Sequence, residues 1–151
     1  MDKRSVIKFS AIVAAFVLLI VGYVYFNEQS LLASGKSNAD LVVGSIQDGD
    51  VASVKNRLDE FVGGPSVEPE YEQAITSLNY VAGLVETGEK LTFSNDALSS
   101  TGDYRIYAAS YEITAPQGGQ DYLIVTMRRQ ESSWVLSNLQ LAAVDLLGEQ
   151  D

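Results

Sequence analysis

The side chains able to do acid–base chemistry gather in the second half of the chain. Asp103, Glu112 and Asp121 offer carboxylates, and Tyr104, Tyr107 and Tyr111 offer hydroxyl donors close by in sequence. A carboxylate among tyrosines is the equipment of a general base, provided burial tunes its pKa toward neutrality. Asp103 and Asp121 stand at expected strand starts, where exposed turn roles are commoner. No set of residues matches a catalytic motif, so no catalytic residue is expected and the reading favours a non-enzymatic role. Asp48-Gly49-Asp50 with Asp59 resembles the two ends of a calcium loop. Its middle fails: the fifth position falls on Ala52 and the sixth on Ser53, where an oxygen ligand and a glycine are needed. A helix break explains these residues better, and no metal or other cofactor is expected. Arg105, Arg128 and Arg129 offer charge for an anionic ligand. On an exposed sheet face such arginines more often pair with carboxylates at little net gain. Trp134 offers a stacking surface, but beside Val135 and Leu136 it reads as a core plug. Tyr107 and Tyr111, four apart on a strand, share one face and either line a pocket or pack. No ligand-binding residue is assigned.

Composition narrows the chemistry further. The chain has 151 residues, no cysteine, no histidine and a net charge of −10. Disulfides, thiol nucleophiles, lipidated cysteines, zinc sites of the usual Cys/His type and histidine triads are excluded. The acidic balance also argues against nucleic acid, whose phosphates need Lys and Arg to displace counterions.

The elements that position these residues begin with a membrane signal. Residues 9–26 (FSAIVAAFVLLIVGYVYF) carry no charge. At about 1.5 Å per residue they reach roughly 27 Å, close to a hydrocarbon core of about 30 Å. Tyr23, Tyr25 and Phe26 close the run as interfacial aromatics. Lys3, Arg4 and Lys8 precede it, whereas Lys36 is the only basic residue in the twenty positions that follow. The positive-inside rule then places residues 1–8 in the cytoplasm and exports the remainder; a bacterial inner membrane is the expected location. A cleaved signal peptide is the competing reading. Its apolar region is normally about 7–15 residues with a small-residue site close behind. Here the best such site, Ala33-Ser34-Gly35, lies well past Phe26, and a retained anchor is favoured. Residues 27–151 hold seven basic and nineteen acidic side chains, a net −12. Solubility explains that charge, and it repels anionic lipid headgroups.

Residues 27–37 (NEQSLLASGKS) read as a continuation of the anchor helix or a short tether, counted here as a tether. The exported domain is placed at 38–147, with a tail over 148–151. Leu41, Val42, Ile46, Val51, Val54, Leu58, Phe61 and Val62 keep helical spacing. Gly49 weakens that helix and Asp50 can cap a second one, so a kink or two short helices are expected. Gly63-Gly64-Pro65 stops it. Pro69 and the surrounding glutamates open another helix, with an apolar stripe from Tyr71 to Val85 and a stop at Gly88. The period then becomes two. A first strand begins at Leu91-Thr92-Phe93, and others cover 103–114, 121–130 and 134–141. Short turns between consecutive strands make an antiparallel meander. On the third strand Leu123, Val125 and Met127 are the core candidates. Tyr122 and Ile124 opposite them hint at a second covered face or a partner surface.

The fold class expected is α+β: a transmembrane helix, then two to three helices packed on a four-stranded antiparallel meander. Gly49-Asp50, Tyr122-Leu123-Ile124-Val125 and Ser133-Trp134-Val135-Leu136 carry a resemblance to small nuclear-transport-factor-two-like, cystatin-like α+β domains, over roughly residues 38–142. The ending is also similar to membrane-anchored cytochrome-oxidase assembly and mitochondrial translocase domains, which the long helix from Pro69 fits less well. Such resemblances imply a binding cone or a docking surface, and no particular reaction. The expected role is a membrane-anchored extracytoplasmic accessory or scaffold whose partner is another envelope protein or a second copy. The alternative is a small-molecule-binding or hydrolase-like domain using the cone.

Overall fold

The computed structural model describes residues 3–61, 68–101, 104–114 and 120–143. Its elements run α1 (Lys3–Gln47), α2 (Val51–Asp59), α3 (Glu68–Glu86), β1 (Lys90–Thr101), β2 (Tyr104–Thr114), β3 (Gln120–Gln130) and β4 (Ser133–Ala143). This is an α+β chain. It divides into two compact units, Met1–Ser34 and Gly35–Asp151.

The first unit is the leading part of α1. Its best eighteen-residue window has a mean hydropathy of 2.4, none of it buried, so α1 is long and apolar enough to cross a membrane. Ile12, Leu18 and Phe26 are 66, 71 and 74 % exposed. The helix continues unbroken through residues 27–37. Of the two forms that stretch offered, it takes the continuation and not the tether. No proline interrupts it, and Gly22 and Gly35 cost only about 1 kcal/mol each relative to alanine, too little to end a helix.

The second unit opens with the last third of α1. Here one side of the helix turns inward, and Ala39, Val42 and Ile46 on it are completely buried. Gly49 (φ +79) ends the run in a left-handed turn that favours glycine. The Asp50 carboxylate accepts the Ser53 amide at 3.2 Å and so caps α2. Two helices with a break at Gly49 is thus the form taken. Gly88 (φ +99) closes the turn after α3.

The sheet is an antiparallel meander in the order β1-β2-β3-β4. β1, β3 and β4 are longer than the residue pattern alone marks out, most of all β1, which runs on through Ser94-Asn95-Asp96 to Thr101. Its inner face is apolar: Tyr107, Leu123, Val125, Met127 and Leu139 are all fully buried. Leu123, Val125 and Met127 are the set expected to face inward. Leu136 and Leu139 are both buried although three residues apart, a spacing that puts them on opposite faces of a regular strand. A bulge reconciles them. Thr126 pairs with Asn138 but Met127 with Leu136, leaving Ser137 over. The Ser137 hydroxyl donates to the Thr126 carbonyl at 3.0 Å. A second bulge, between Phe93 and Asn95, does the same for β1. It brings Phe93 opposite Tyr111 and Asp96 opposite Ala109, both on the inner face. Helices α2 and α3 pack on β4 and on one another. The end of α1 lies over β1 and β2, where the Gln47 side-chain amide donates to the Leu91 carbonyl at 2.9 Å.

Candidate functional site

Two tyrosines on β2 anchor the polar cluster of the domain. Their four-residue spacing turns both onto the inner face, as alternation requires. The Tyr111 hydroxyl donates to Asp40 on α1 at 2.7 Å. The Tyr107 hydroxyl donates to Asp96 on β1 at 3.0 Å. Asp40 also accepts from Lys36, one helical turn earlier, at 2.7 Å. The Lys36 ammonium lies 4.4 Å from the centre of the Phe93 ring. Phe93 meets Tyr111 edge-on at 5.9 Å, and Tyr107 meets Trp134 the same way at 6.3 Å. Trp134, 9 % exposed, closes the inner face as a core plug.

Gly35 lets α1 come this close. A β-carbon there would stand 2.6 Å from Cγ of Tyr107, so any other residue forces the ring or the helix to move. Gly35, the last residue of the Ala33-Ser34-Gly35 segment, is therefore a packing contact between helix and sheet.

The electrostatics of the cluster do not suit proton transfer near neutrality. Burial, reinforced by the hydrogen bond to Asp96, pushes the Tyr107 hydroxyl well above its usual pKa. Burial and the bond to Asp40 do the same to Tyr111. For Asp40, burial favours the neutral acid, but the hydrogen bonds from Lys36 and Tyr111 outweigh it. Its carboxyl is held below the usual range. The donors stay protonated and the Asp40 acceptor stays ionised across physiological pH. A general acid or base needs the opposite tuning. The arrangement is a latch between helix and sheet.

Among the described residues, the carboxylates and tyrosines singled out in sequence do not come together. Glu112 faces away from the buried tyrosines, opposite Tyr122 and Thr92. Asp121 is the second residue of β3, opposite Ile113. Tyr104 is 49 % exposed at the start of β2. Asp103 lies outside the described residues. Asp50 and Asp59 sit at opposite ends of α2, and Asp59 accepts the Tyr71 hydroxyl from α3. The partners the tyrosines do use, Asp40 and Asp96, escaped the sequence reading. Asp40 looks like one half of an ordinary i, i+4 pair with Lys36. Asp96 sits in a Ser-Asn-Asp stretch that favours turns over strands.

The arginines collect at one end of the sheet, where Arg105 pairs in register with Arg129 and Ile106 with Arg128. The Arg128 guanidinium lies 5.4 and 5.7 Å from the ring centres of Phe61 and Tyr104, and its Nε has no hydrogen-bond partner. Arg129 donates from Nε to the Glu131 carbonyl at 3.4 Å. On the sheet face away from the buried tyrosines a depression of about 140 Å³ is lined by Asn95, Ala97, Ala108, Ser110 and Ile124, with Asp96 and Ala109. It is small beside ligand pockets of roughly 300–1,000 Å³ and carries no convergent set of donors. No family model, curated protein or solved structure matches the chain.

Proposed function

We propose that the chain is a single-pass protein of a bacterial inner membrane, with its amino end in the cytoplasm and its α+β domain outside. There it serves as an accessory or scaffold that holds another envelope protein or a second copy. The observation that carries this reading is the stretch 9–26: apolar on every side, and exposed in a chain whose other large apolar side chains are mostly buried. In water, contiguous apolar patches beyond a few hundred Å² mark interaction sites, and an all-round apolar helix belongs in lipid. Retention of the anchor is supported by the Ala33-Ser34-Gly35 segment, which is helical and whose glycine is packed under Tyr107. A non-enzymatic role is supported by the filled inner face and by a tyrosine–carboxylate cluster tuned away from proton transfer. Kinship with nuclear-transport-factor-two-like domains is proposed on the order of elements alone.

The test is a reporter fused after residue 151, combined with alkaline extraction of membranes and amino-terminal sequencing. Expected are a reporter active only outside the cytoplasm, protein retained in the membrane pellet, and an intact start. A cytosolic reporter, or mature protein beginning beyond residue 35, overturns the reading.

A further inference from the structure

The two faces of the sheet differ in character. Toward the helices, the alternate residues from Tyr107 to Ile113 on β2 and from Leu123 to Met127 on β3 are buried. The residues between them point the other way, and none of those described is fully buried. At the centre of that outer face stand Ile106, Ala108 and Ser110 on β2 and Tyr122, Ile124 and Thr126 on β3. The outward positions of β1 from Thr92 to Ser99, and of β4 from Val135 to Ala142, add no charge. Charge is confined to the two ends: Arg128 at one, Lys90 and Glu112 at the other. An antiparallel sheet face left to water turns polar residues outward, and residues 27–151 offer nineteen acidic and seven basic side chains for that purpose. Their absence from the middle of this face is the depletion of charge found at the core of protein interfaces. Size divides along the midline. Tyr122 and Ile124 on β3 are bulky, whereas Ala97, Ala108 and Ser110 on β1 and β2 are small and line the depression of about 140 Å³.

We propose that this outer face packs against the same face of a second copy, about a two-fold axis that runs along the strands midway between β2 and β3. The inference rests on the membrane reading above, which raises the effective concentration of copies in one plane, and narrows it to one partner. Direction fixes the axis. Within the domain, Gly35 lies against Tyr107 and Asp40 bonds Tyr111, so α1 runs in the direction of β2. Two copies anchored in one membrane must set their β2 strands pointing the same way, which an axis along the strands does. It also leaves the two sheets aligned, a usual way for sheets to pack. Complementarity selects the occupant. The axis lays β2 of one copy over β3 of the other, so the pairs that are neighbours within a sheet also face one another between copies. Ala108 then faces Thr126, and Ser110 faces Ile124. Each Ile124 meets the small residues of the other copy. Glu112 faces Tyr122 and Arg128 faces Ile106, so no like charges are opposed. Area is sufficient. Four strands about 4.8 Å apart, with about 3.3 Å per residue, make a face of about 19 by 36 Å. Two such faces bury roughly 1,400 Å², within the range of about 1,200–2,000 Å² for a stable interface.

The absence of cysteine makes the test clean. Full-length Ala108→Cys and Thr126→Cys chains, differently tagged, are co-expressed and mildly oxidised in native membranes. As a control, both chains carry Ala97→Cys, which is on the same face and more exposed. Across the proposed axis its two copies stand about 14 Å apart sideways, too far for a disulfide. Expected is a disulfide-linked heterodimer for the first pair, in several-fold excess over the control, with helix and strand content unchanged in all variants. Equal yields mean random collision and overturn the pairing, as does failure of the first pair to cross-link. A cross-link from Cys at either position to a different envelope protein, in place of the heterodimer, gives the face to another occupant and also overturns it. Alkaline extraction of the same membranes separates the two readings. Protein that stays in the pellet without the heterodimer refutes the pairing and leaves the anchor standing. Protein released to the supernatant refutes the anchor, and with it the tethered pair.

Discussion

One helix, α1, serves two different surroundings. From Phe9 to Phe26 it is apolar on every side, and its side chains are exposed. From Gly35 to Gln47 it is buried on one side only: Ala39, Val42 and Ile46 are fully buried, while Leu41 on the other side is 56 % exposed among polar neighbours such as Ser37 and Asp40. Both stretches are helical and rich in aliphatic residues, so propensity does not tell them apart. The angular distribution of apolar side chains does. A one-sided stripe means a protein core, and an unbroken coat means a solvent that is itself apolar. Glycine separates them again. Gly22 has open space where a β-carbon would stand, while Gly35 has the Tyr107 ring.

The largest expected contrast comes from deleting aliphatic carbon in each stretch. Ile46→Ala removes a fully buried side chain and is expected to destabilise the domain by about 2–5 kcal/mol, read from chemical denaturation in detergent. Ile12→Ala, made in the exposed coat, is expected to leave the same transition in place. If the two variants shift it equally, the distinction between the stretches fails. Next in size is the glycine pair. Gly35→Ala is expected to cost about 1–3 kcal/mol through overpacking against Tyr107, and Gly22→Ala nothing measurable in the domain.

The distinction between the two stretches was legible in sequence because it rests on periodicity, which is local. The same holds for the break at Gly49, the cap at Asp50 and the inward set on β3, each set by residues a few positions apart. The latch was not legible. Tyr111 meets Asp40 across 71 positions of chain. No periodic signal reports a contact between a strand and a helix so far apart. Asp96 was hidden differently. Ser94-Asn95-Asp96 has turn-forming composition, and pairing with β2 on both sides of the bulge at Ser94 overrides that local preference. Both bulges were out of reach for a similar reason. They follow from which leucines the core demands, not from the residues that form them.

The tyrosines sharpen the contrast next, since only the domain part of α1 is latched to the sheet. Tyr111→Phe keeps the ring against Phe93 but removes the donor to Asp40, and is expected to cost about 1.5–3 kcal/mol at neutral pH, as for hydrogen bonds to charged groups. Its pH dependence identifies the cause. The Tyr107 and Tyr111 hydroxyls titrate higher in the folded chain than the usual 10.0. Their contribution is therefore complete below that pH and is lost as pH rises above it, because the unfolded chain gives up its protons first. Wild type is expected to lose stability steeply above about pH 10, and Tyr111→Phe less steeply. Parallel alkaline curves for the two proteins count against the latch.

The smallest effect is expected at Lys36, on the solvent side of the same latch. Its ammonium meets Asp40 at 2.7 Å, but the two side chains are 39 and 45 % exposed, so water screens most of their attraction. Lys36→Ala is expected to cost only about 0.3–0.5 kcal/mol, the usual worth of an i, i+4 pair. Acid titration separates this pair from the Tyr111 bond. Asp40 titrates below the usual 3.8 in the folded chain, so its contribution is present above that pH and disappears as pH falls through the lower folded value. Lys36 supplies both a hydrogen bond and a charge to that depression. Lys36→Ala is therefore expected to move the Asp40 midpoint upward, read by carboxyl NMR shifts, while Tyr111 still donates to it. An unmoved midpoint would mean that the tyrosine alone holds the carboxylate ionised, and that the join between α1 and the sheet relies on the buried side of the helix only.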